Sequence, residues 1–266
     1  MAQQRAVNRS FGVHRSRIKG MGTEFYGMRR YTYGDQFRSI DWKASVRSQQ
    51  LIVKEFETDR AIDVVMLIDA SNSMGGGAVE NTKFEYAIRA AMLLSKIALE
   101  RKDRVGAVTF SDEDHFRLHN PSSRATNFFN LLDFLARIMP RHEKNFTASC
   151  EEFCRRWRKR SLVFVMSDLE SSEDDILGGV KKLKTYGHAV IILAPFSPWF
   201  EAHELELSPS DKAIAEAISE EMMEHLVNLK PKLNRLQTSL INVGPDDFLN
   251  VVLNEYAKAT KKGKGE

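Results

Sequence analysis

The chain of 266 residues is long enough to form one large domain or two small ones. Hydrophobic residues make up 42% and charged residues 28%, a globular composition that excludes collagen, coiled-coil arrays and wholesale disorder. The net charge of +3 is too small to indicate nucleic-acid binding by itself. It is unevenly placed, because residues 1–60 hold twelve Lys and Arg against six Asp and Glu, which leaves a net −3 on the remaining 206 residues.

Cysteine use and apolar runs bear on the compartment. Cys150 and Cys154 lie four residues apart on a predicted helix, a poor geometry for a disulfide, so we expect reduced thiols. No run approaches the roughly 18 apolar residues of a membrane-spanning helix, and residues 1–10 lack the apolar core of a signal peptide. The sequence therefore predicts a cytoplasmic protein without a membrane span.

The first 60 residues differ from the rest of the chain. They are rich in Gly and Arg, lack helical periodicity until residues 41–47, and end in the alternating segment 51–57, which predicts a strand. We expect a small, basic, β-rich extension over residues 1–60.

Segments with strand and helix periodicity alternate from residue 61 onward. The predicted strands are 62–68, 105–110, 116–118, 162–166, 189–193 and 240–243. The first predicted helix is capped by Asn81 or Thr82 and ends near Arg101, and the others are 127–139, 147–158, 174–186, 211–236 and 246–256. This order predicts an α/β domain over residues 61–260, with a doubly wound, mostly parallel sheet covered on both faces. The tail, residues 261–266, is expected to be disordered.

Oxygen-bearing side chains follow two of the predicted buried strands. Asp69, Ser71 and Ser73 come directly after strand 62–68, and Asp168 follows strand 162–166. Thr147 opens a helix and can add a third hydroxyl. Because ligands of such sheets bind beyond the carboxyl ends of the strands, these side chains can converge on Mg²⁺ or Mn²⁺, which prefer oxygen ligands. The alternative is a polar turn that caps the next segment.

These residues resemble two known patterns. The order of strand, DASNSM, a threonine at a helix start and a strand followed by Ser-Asp resembles the metal-ion-dependent adhesion site of von Willebrand factor A-type domains. A longer signature, over residues 12–74, resembles the family called domain of unknown function 58. It consists of Gly12-Val13-His14-Arg15-Ser16, Lys19-Gly20-Met21-Gly22, Glu24-Phe25, Arg30-Tyr31-Thr32-Tyr33-Gly34-Asp35, Arg38, Ile40-Asp41-Trp42-Lys43 and Val53-Lys54-Glu55-Phe56-Glu57.

The resemblance implies a von Willebrand factor A-like fold and a metal site. The implied metal ligands are Asp69, Ser71, Ser73, Thr147 and Asp168. Thr147 is the weaker match, because such domains usually have glycines before this threonine and this chain has Glu143-Lys144-Asn145-Phe146. Thr126 is its competitor.

The function implied by the resemblance is that of a non-enzymatic adaptor or scaffold. A partner Glu or Asp would complete the coordination of the metal, and relatives are often associated with MoxR-type AAA ATPases in chaperone-like assembly. Two alternatives remain open. A metal-dependent phosphoester hydrolase would use the same ion as a Lewis acid, although no general base is placed beside it. Nucleic-acid binding through the basic extension would show a steep salt dependence, and no specific nucleic-acid ligand is expected.

Overall fold

The computed structural model describes residues 19–57, 61–78, 80–112, 115–201 and 209–261. One compact unit spans His14–Arg60, and the other contains Ala61–Glu266. The signature residues 12–18 and the expected disordered residues 262–266 lie outside the described residues.

The first unit is built on an antiparallel pair of strands, β1 (Lys19–Arg30) and β2 (Ile52–Glu57), with helix α1 (Trp42–Ser48) between them in sequence. Asp41 begins α1, because its carboxylate accepts a hydrogen bond from the backbone N of Ala44 at 3.0 Å. The strand expected at residues 51–57 is present, whereas β1 was not predicted.

Arg29 organises the loop that follows β1. Its guanidinium donates to both carboxylate oxygens of Asp35 and to Glu55, each at 2.6 Å. These hydrogen bonds from Arg29 hold the pKa of Asp35 well below its usual range. Gly34 lies in the same loop at φ +103°, a backbone conformation that favours glycine. Polar residues in and beside the signature therefore stabilise this loop.

The second unit is a sheet of six strands in the order β10-β9-β8-β3-β6-β7, in which β7 alone runs antiparallel to its neighbour. The strands are β3 (Asp63–Asp69), β6 (Arg104–Phe110), β7 (Arg117–Ser122), β8 (Leu162–Met166), β9 (Ala189–Pro195) and β10 (Ser239–Val243), and the two-residue strands β4 (Gly77–Ala78) and β5 (Asn81–Thr82) pair separately. The helices are α2 (Lys83–Glu100), α3 (Asn127–Leu135), α4 (Phe146–Arg156), α5 (Glu173–Thr185), α6 (Ser197–Glu201), α7 (Pro209–Arg235) and α8 (Phe248–Lys261).

Helices cover both faces of this sheet, as the alternation of the sequence predicts. Along β3, Val64, Met66 and Ile68 join the core beneath α2, α3 and α8. Val65 and Leu67 point to the opposite core, beneath α4, α5 and α7. The doubly wound, mostly parallel α/β fold is therefore confirmed, and it places the ends of β3 and β8 side by side.

Elements of the second unit also differ from the expectation, and helix α8 ends at Lys261 rather than at Tyr256. Strand β7 continues to Ser122, four residues beyond its predicted end, because an edge strand accepts Pro121, which cannot donate to a neighbouring strand. Helix α3 ends at Leu135 rather than Met139, shortly before Pro140, a residue that cannot continue a helix. Helix α6, directly after β9, was not predicted.

Both thiols are free and buried, at 0% and 1% exposure for Cys150 and Cys154. Burial raises the pKa of each thiol, that of Cys154 to about 11. Among the described residues, no helix combines the length and apolar character needed to cross a bilayer.

His188 is a buried imidazole between α5 and β9. It is 1% exposed, lies 5.2 Å from the ring of Phe153, and neither ring nitrogen has a hydrogen-bond partner among the described residues. Burial lowers its pKa from 6.5 to about 4. Since the unfolded chain takes up this proton near pH 6.5, stability is present above that pH and is lost as the pH falls toward 4.

We predict that His188→Leu removes this loss. Between pH 8 and pH 5 the free energy of unfolding of the wild type should fall by about 2 kcal/mol more than that of the variant. Urea titrations of both proteins at the two pH values measure the difference. The prediction would be contradicted if the free energies of unfolding of the two proteins differed by the same amount at pH 8 as at pH 5.

Candidate functional site

The first half of the site is the turn after β3. Asp69 is the last residue of β3 and is fully buried, and its Oδ1 accepts a hydrogen bond from the backbone N of Ser71 at 2.9 Å. The hydroxyls of Ser71 and Ser73 lie 3.1 Å apart and share a hydrogen bond. The three residues of the predicted motif are therefore neighbours at the carboxyl edge of the sheet.

The second half follows β8, the neighbour of β3. Ser167 donates its hydroxyl to Asp69 Oδ2 at 2.5 Å. Asp168 is the next residue, and its side chain is fully buried. The structure thus brings Asp69 and Asp168 to the same locus, as their positions at the ends of two strands predict.

Lys144 lies between the two carboxylates. Its Nζ is 2.7 Å from Asp69 Oδ2 and forms a hydrogen-bonded ion pair with Asp168 Oδ1. A third hydrogen bond runs to the hydroxyl of Ser167 at 3.3 Å. The side chain is only 4% exposed, so this ammonium is part of the interior.

A second buried lysine, Lys83, reaches Asp168 from the start of α2. Its Nζ lies 2.9 Å from Asp168 Oδ2, 3.1 Å from Glu170 Oε1 and 2.6 Å from the Ser197 hydroxyl, and its side chain is 1% exposed. We call Asp69, Asp168, Lys83, Lys144 and Ser167 the rim cluster.

Within the rim cluster two carboxylates face two ammonium groups, and Glu170 adds a third carboxylate beside Lys83. Burial alone would raise the pKa of Asp168, but Lys144 and Lys83 outweigh it and lower that pKa to about 2. Burial alone would lower the pKa of Lys144, but Asp69 and Asp168 outweigh it and raise that pKa. The ion pairs therefore favour the charged forms of Asp168 and Lys144.

Thr147 does not join this cluster. Its hydroxyl donates to the backbone O of Asp175 on α5 at 2.6 Å, and its backbone N donates to the Asp175 carboxylate at 2.7 Å. Gly178 allows this approach, because a Cβ there would lie 2.7 Å from the Thr147 hydroxyl oxygen. The competitor Thr126 is exposed at the start of α3, and no described contact links it to Asp69.

The donor atoms, arranged in this way, do not fit a divalent cation. The space between the two carboxylates holds the ammonium of Lys144, and the threonine hydroxyl of the expected ligand set is turned to α5. A dication there would also face the charge of Lys83. Of the predicted ligands, Asp69, Ser71 and Ser73 are therefore neighbours, and Asp69 is joined to Asp168 by a lysine.

A cleft of about 290 Å³ lies beside the rim cluster, and we call it the arginine cleft. Within the part of the chain that the structure describes, none of its three arginines has a carboxylate within ion-pair distance. Its lining residues are Ala70, Thr109, Ser111, His115, Arg117, Arg137, Ile138, Met139, Arg141 and His142.

Two histidines of the cleft meet a carboxylate. The rings of His115 and His142 stack at 3.8 Å between centroids, and His115 Nδ1 lies 2.6 Å from Asp112 Oδ1. The possible ligand atoms of these three residues lie within 4.8 Å of one another, which no other group of three His, Cys, Asp or Glu achieves among the described residues. By residue type they could hold a transition metal.

The segment 141–145 connects the arginine cleft with the rim cluster. The backbone N of Arg141 donates to Ala70 O, and the backbone O of His142 accepts from Asn72 N, both at 2.8 Å. The side chain of Lys144 then enters the rim cluster. Sequence reasoning missed this role of Lys144 and that of Lys83. For Lys144 the available signal was a lysine at a position where glycine is usual. For Lys83 it was a lysine one helical turn before Ala87, which is buried.

Sequence comparison places this site in a known family. The model of the family described as "Protein of unknown function DUF58" matches residues 27–194. An uncharacterized protein of Mycobacterium tuberculosis is 29% identical over 97 residues, which are 36% of this chain and 31% of that protein. The uncharacterized protein YeaD of Bacillus subtilis is 44% identical over 46 residues, 17% of this chain and 12% of that protein. The matches thus span less than a third of each curated relative.

Structural comparison concerns the fold alone at the identities found. The conserved hypothetical protein BatB from Bacteroides thetaiotaomicron matches with 15% identity, 76% of this chain, 100% of that chain and a TM-score of 0.52. An aerotolerance-related membrane protein from Bacteroides fragilis is 16% identical, with 76% of this chain and 100% of that chain covered and a TM-score of 0.50. The VWA domain of SpRpn10 is 17% identical, with 74% of this chain and 95% of that chain covered and a TM-score of 0.46. The two matches with TM-scores of 0.50 and 0.52 confirm the von Willebrand factor A-like fold implied by the sequence.

We predict that Lys83→Met destabilises the protein strongly. The variant keeps the volume of the side chain but leaves Asp168 with one ammonium fewer, and breaking a buried pair in this way costs about 3–5 kcal/mol. Urea unfolding measures the loss. The matched control Lys182→Met removes an exposed lysine that pairs with Glu151 at 3.0 Å and should cost less than about 1 kcal/mol. Equal stability of the two variants would refute the prediction.

Proposed function

The chain belongs to the DUF58 family, and from its von Willebrand factor A-like fold and its edge site we propose that it is a non-enzymatic protein-binding module. The carboxyl edge of the sheet is where ligands of doubly wound folds bind. The partner surface assigned by this proposal is the arginine cleft together with the exposed apolar face of helix α3.

The observation that carries the proposal is the group of arginines around the cleft. Arg117, Arg137 and Arg141 are exposed and line the same cleft. Guanidinium groups bind carboxylates through paired hydrogen bonds and are common at protein interfaces. We infer that the partner offers Glu or Asp side chains to this cleft.

Exposed apolar side chains on α3 and in the cleft support a protein partner. Phe129 and Leu132 are 66% and 44% exposed and lie three residues apart, hence on one side of α3. Met139 lines the cleft itself and is 67% exposed. A mixture of arginine, methionine and aromatic groups is typical of interface centres. The proposed partner segment is therefore acidic with apolar residues.

The partner class implied by the family resemblance is a MoxR-type AAA ATPase, and we propose it as the first candidate. In that role the chain would act as an adaptor or scaffold. No step of this proposal runs through a metal ion, because the donor atoms of the rim cluster do not fit one.

The hydrolase alternative has less support. A hydrolytic site needs a general base or nucleophile able to accept a proton. The two carboxylates at the edge, Asp69 and Asp168, are instead bonded to buried ammonium groups. Their chemistry is that of ion pairs, which supports a non-enzymatic role.

We predict that Arg137→Ala combined with Arg141→Ala weakens partner binding by about tenfold or more, because each guanidinium can contribute more than 1 kcal/mol at an interface. The tagged wild type and the variant are used to capture proteins from the native lysate, and the retained proteins are identified by mass spectrometry. The affinity of an identified partner is then measured by titration with each purified protein.

The matched control is Arg155→Ala combined with Arg156→Ala. These arginines lie at the far end of α4 and pair with Glu152, so the same change in charge should leave binding intact. A partner that both double variants bind as well as the wild type does would contradict the proposal. So would metal-dependent turnover of a generic phosphoester by the wild type that is lost in Asp69→Ala.

A further inference from the structure

Lys144 lies between two buried carboxylates. Its ammonium bridges the carboxylates of Asp69 and Asp168, which come from the ends of two neighbouring strands. A cation that bridges these two carboxylates is what the sequence motif predicts, and in this chain the bridging cation is part of the polypeptide. The side chain of Lys144 is 4% exposed, and those of Asp69 and Asp168 are 0% exposed.

The carboxylate oxygens at this position are all engaged by protein donors. Asp69 Oδ1 accepts from the backbone N of Ser71, and Asp69 Oδ2 accepts from Ser167 and Lys144. Asp168 Oδ1 accepts from Lys144, and Asp168 Oδ2 accepts from Lys83 at 2.9 Å. A divalent ion would have to displace these donors before it could bind.

The ammonium of Lys144 is likewise satisfied. It has three N–H donors, and three oxygens receive them, those of Asp69, Asp168 and the Ser167 hydroxyl. The carboxylates of Asp69, Asp168 and Glu170 are each bonded to the ammonium of Lys144 or Lys83. An added dication would therefore meet repulsion from both lysines without an unpaired carboxylate to compensate it.

We propose that the ammonium of Lys144 replaces the divalent cation in this chain, so that the rim cluster is a metal-independent ion-pair network. Lys144 then does structurally what a bound cation would do: it joins β3, β8 and the segment 141–145. This assignment holds whether or not the arginine cleft binds a partner. Its consequence, that partner binding needs no metal, rests on the proposed function.

The direct test is titration of the wild-type protein with Mn²⁺, followed by electron paramagnetic resonance of the free ion. Because Asp112, His115 and His142 could also hold Mn²⁺, the wild type should deplete the signal of free Mn²⁺ no more than Asp69→Asn does. Mg²⁺ should not raise the melting temperature of the wild type above its value in EDTA. Uptake of one Mn²⁺ per wild-type chain that disappears in Asp69→Asn would overturn the proposal.

Two substitutions of Lys144 sharpen this test. Lys144→Ala removes the ammonium and leaves space between the carboxylates, so the variant should melt at lower temperature in EDTA, deplete the free Mn²⁺ signal and regain stability with Mn²⁺. Lys144→Met fills the space without charge and should lose stability without gaining Mn²⁺ binding. A folded Lys144→Ala variant that takes up no more Mn²⁺ than the wild type would count against the proposal.

Lys182→Ala is the control for loss of an exposed lysine, and it should behave as the wild type does in every measurement. If Lys144→Ala does not fold, the wild-type titration still decides the question. Failure of the proposed function is a separate result, since it would show as loss of partner capture in both EDTA and Mg²⁺. Capture that occurs only with Mg²⁺ would instead overturn the metal-independent network.

Discussion

Two buried carboxylates lie at the ends of adjacent strands, and the need to neutralise them constrains everything around them. Asp69 and Asp168 are held together by the parallel pairing of β3 and β8. Buried charge without a partner is among the most costly features a fold can contain. Lys83 and Lys144 meet that requirement from α2 and from the segment before α4, so the same ion pairs attach the starts of both helices to the strand ends.

The architecture of the main unit follows from patterns that are visible in the sequence. Short, continuous apolar runs such as 162–166 favour strands covered on both faces, and helical spacing marks the segments between them. Strand β1 escapes this reasoning because its segment, 19–30, contains three glycines and interrupted alternation, and tertiary pairing with β2 overrides it. The length of β7 likewise depends on its place at the sheet edge, which no local pattern records.

The candidate site was predictable only where it depends on strand ends. Asp69 and Asp168 could be placed together because parallel strands share a carboxyl edge. The lysines could not, since lysine is almost always exposed and Lys83 lies 85 residues from its partner Asp168. Thr147 shows the reverse error: its place at a helix start suited a ligand, but Asp175 on the neighbouring helix takes its hydroxyl and its backbone N.

An internal cation also changes how the edge can attract a partner. A bound divalent ion would offer positive charge and an open coordination position at the surface. The Lys144 ammonium instead donates all of its hydrogen bonds to buried oxygens. Attraction for an acidic partner must then come from other groups. In our proposal Arg141 supplies it from the same segment, whose backbone is anchored to Ala70 and Asn72 at 2.8 Å. One short segment thus neutralises the interior with Lys144 and carries Arg141 at the cleft, so the buried ion pair and the partner surface that we propose share the same stretch of chain.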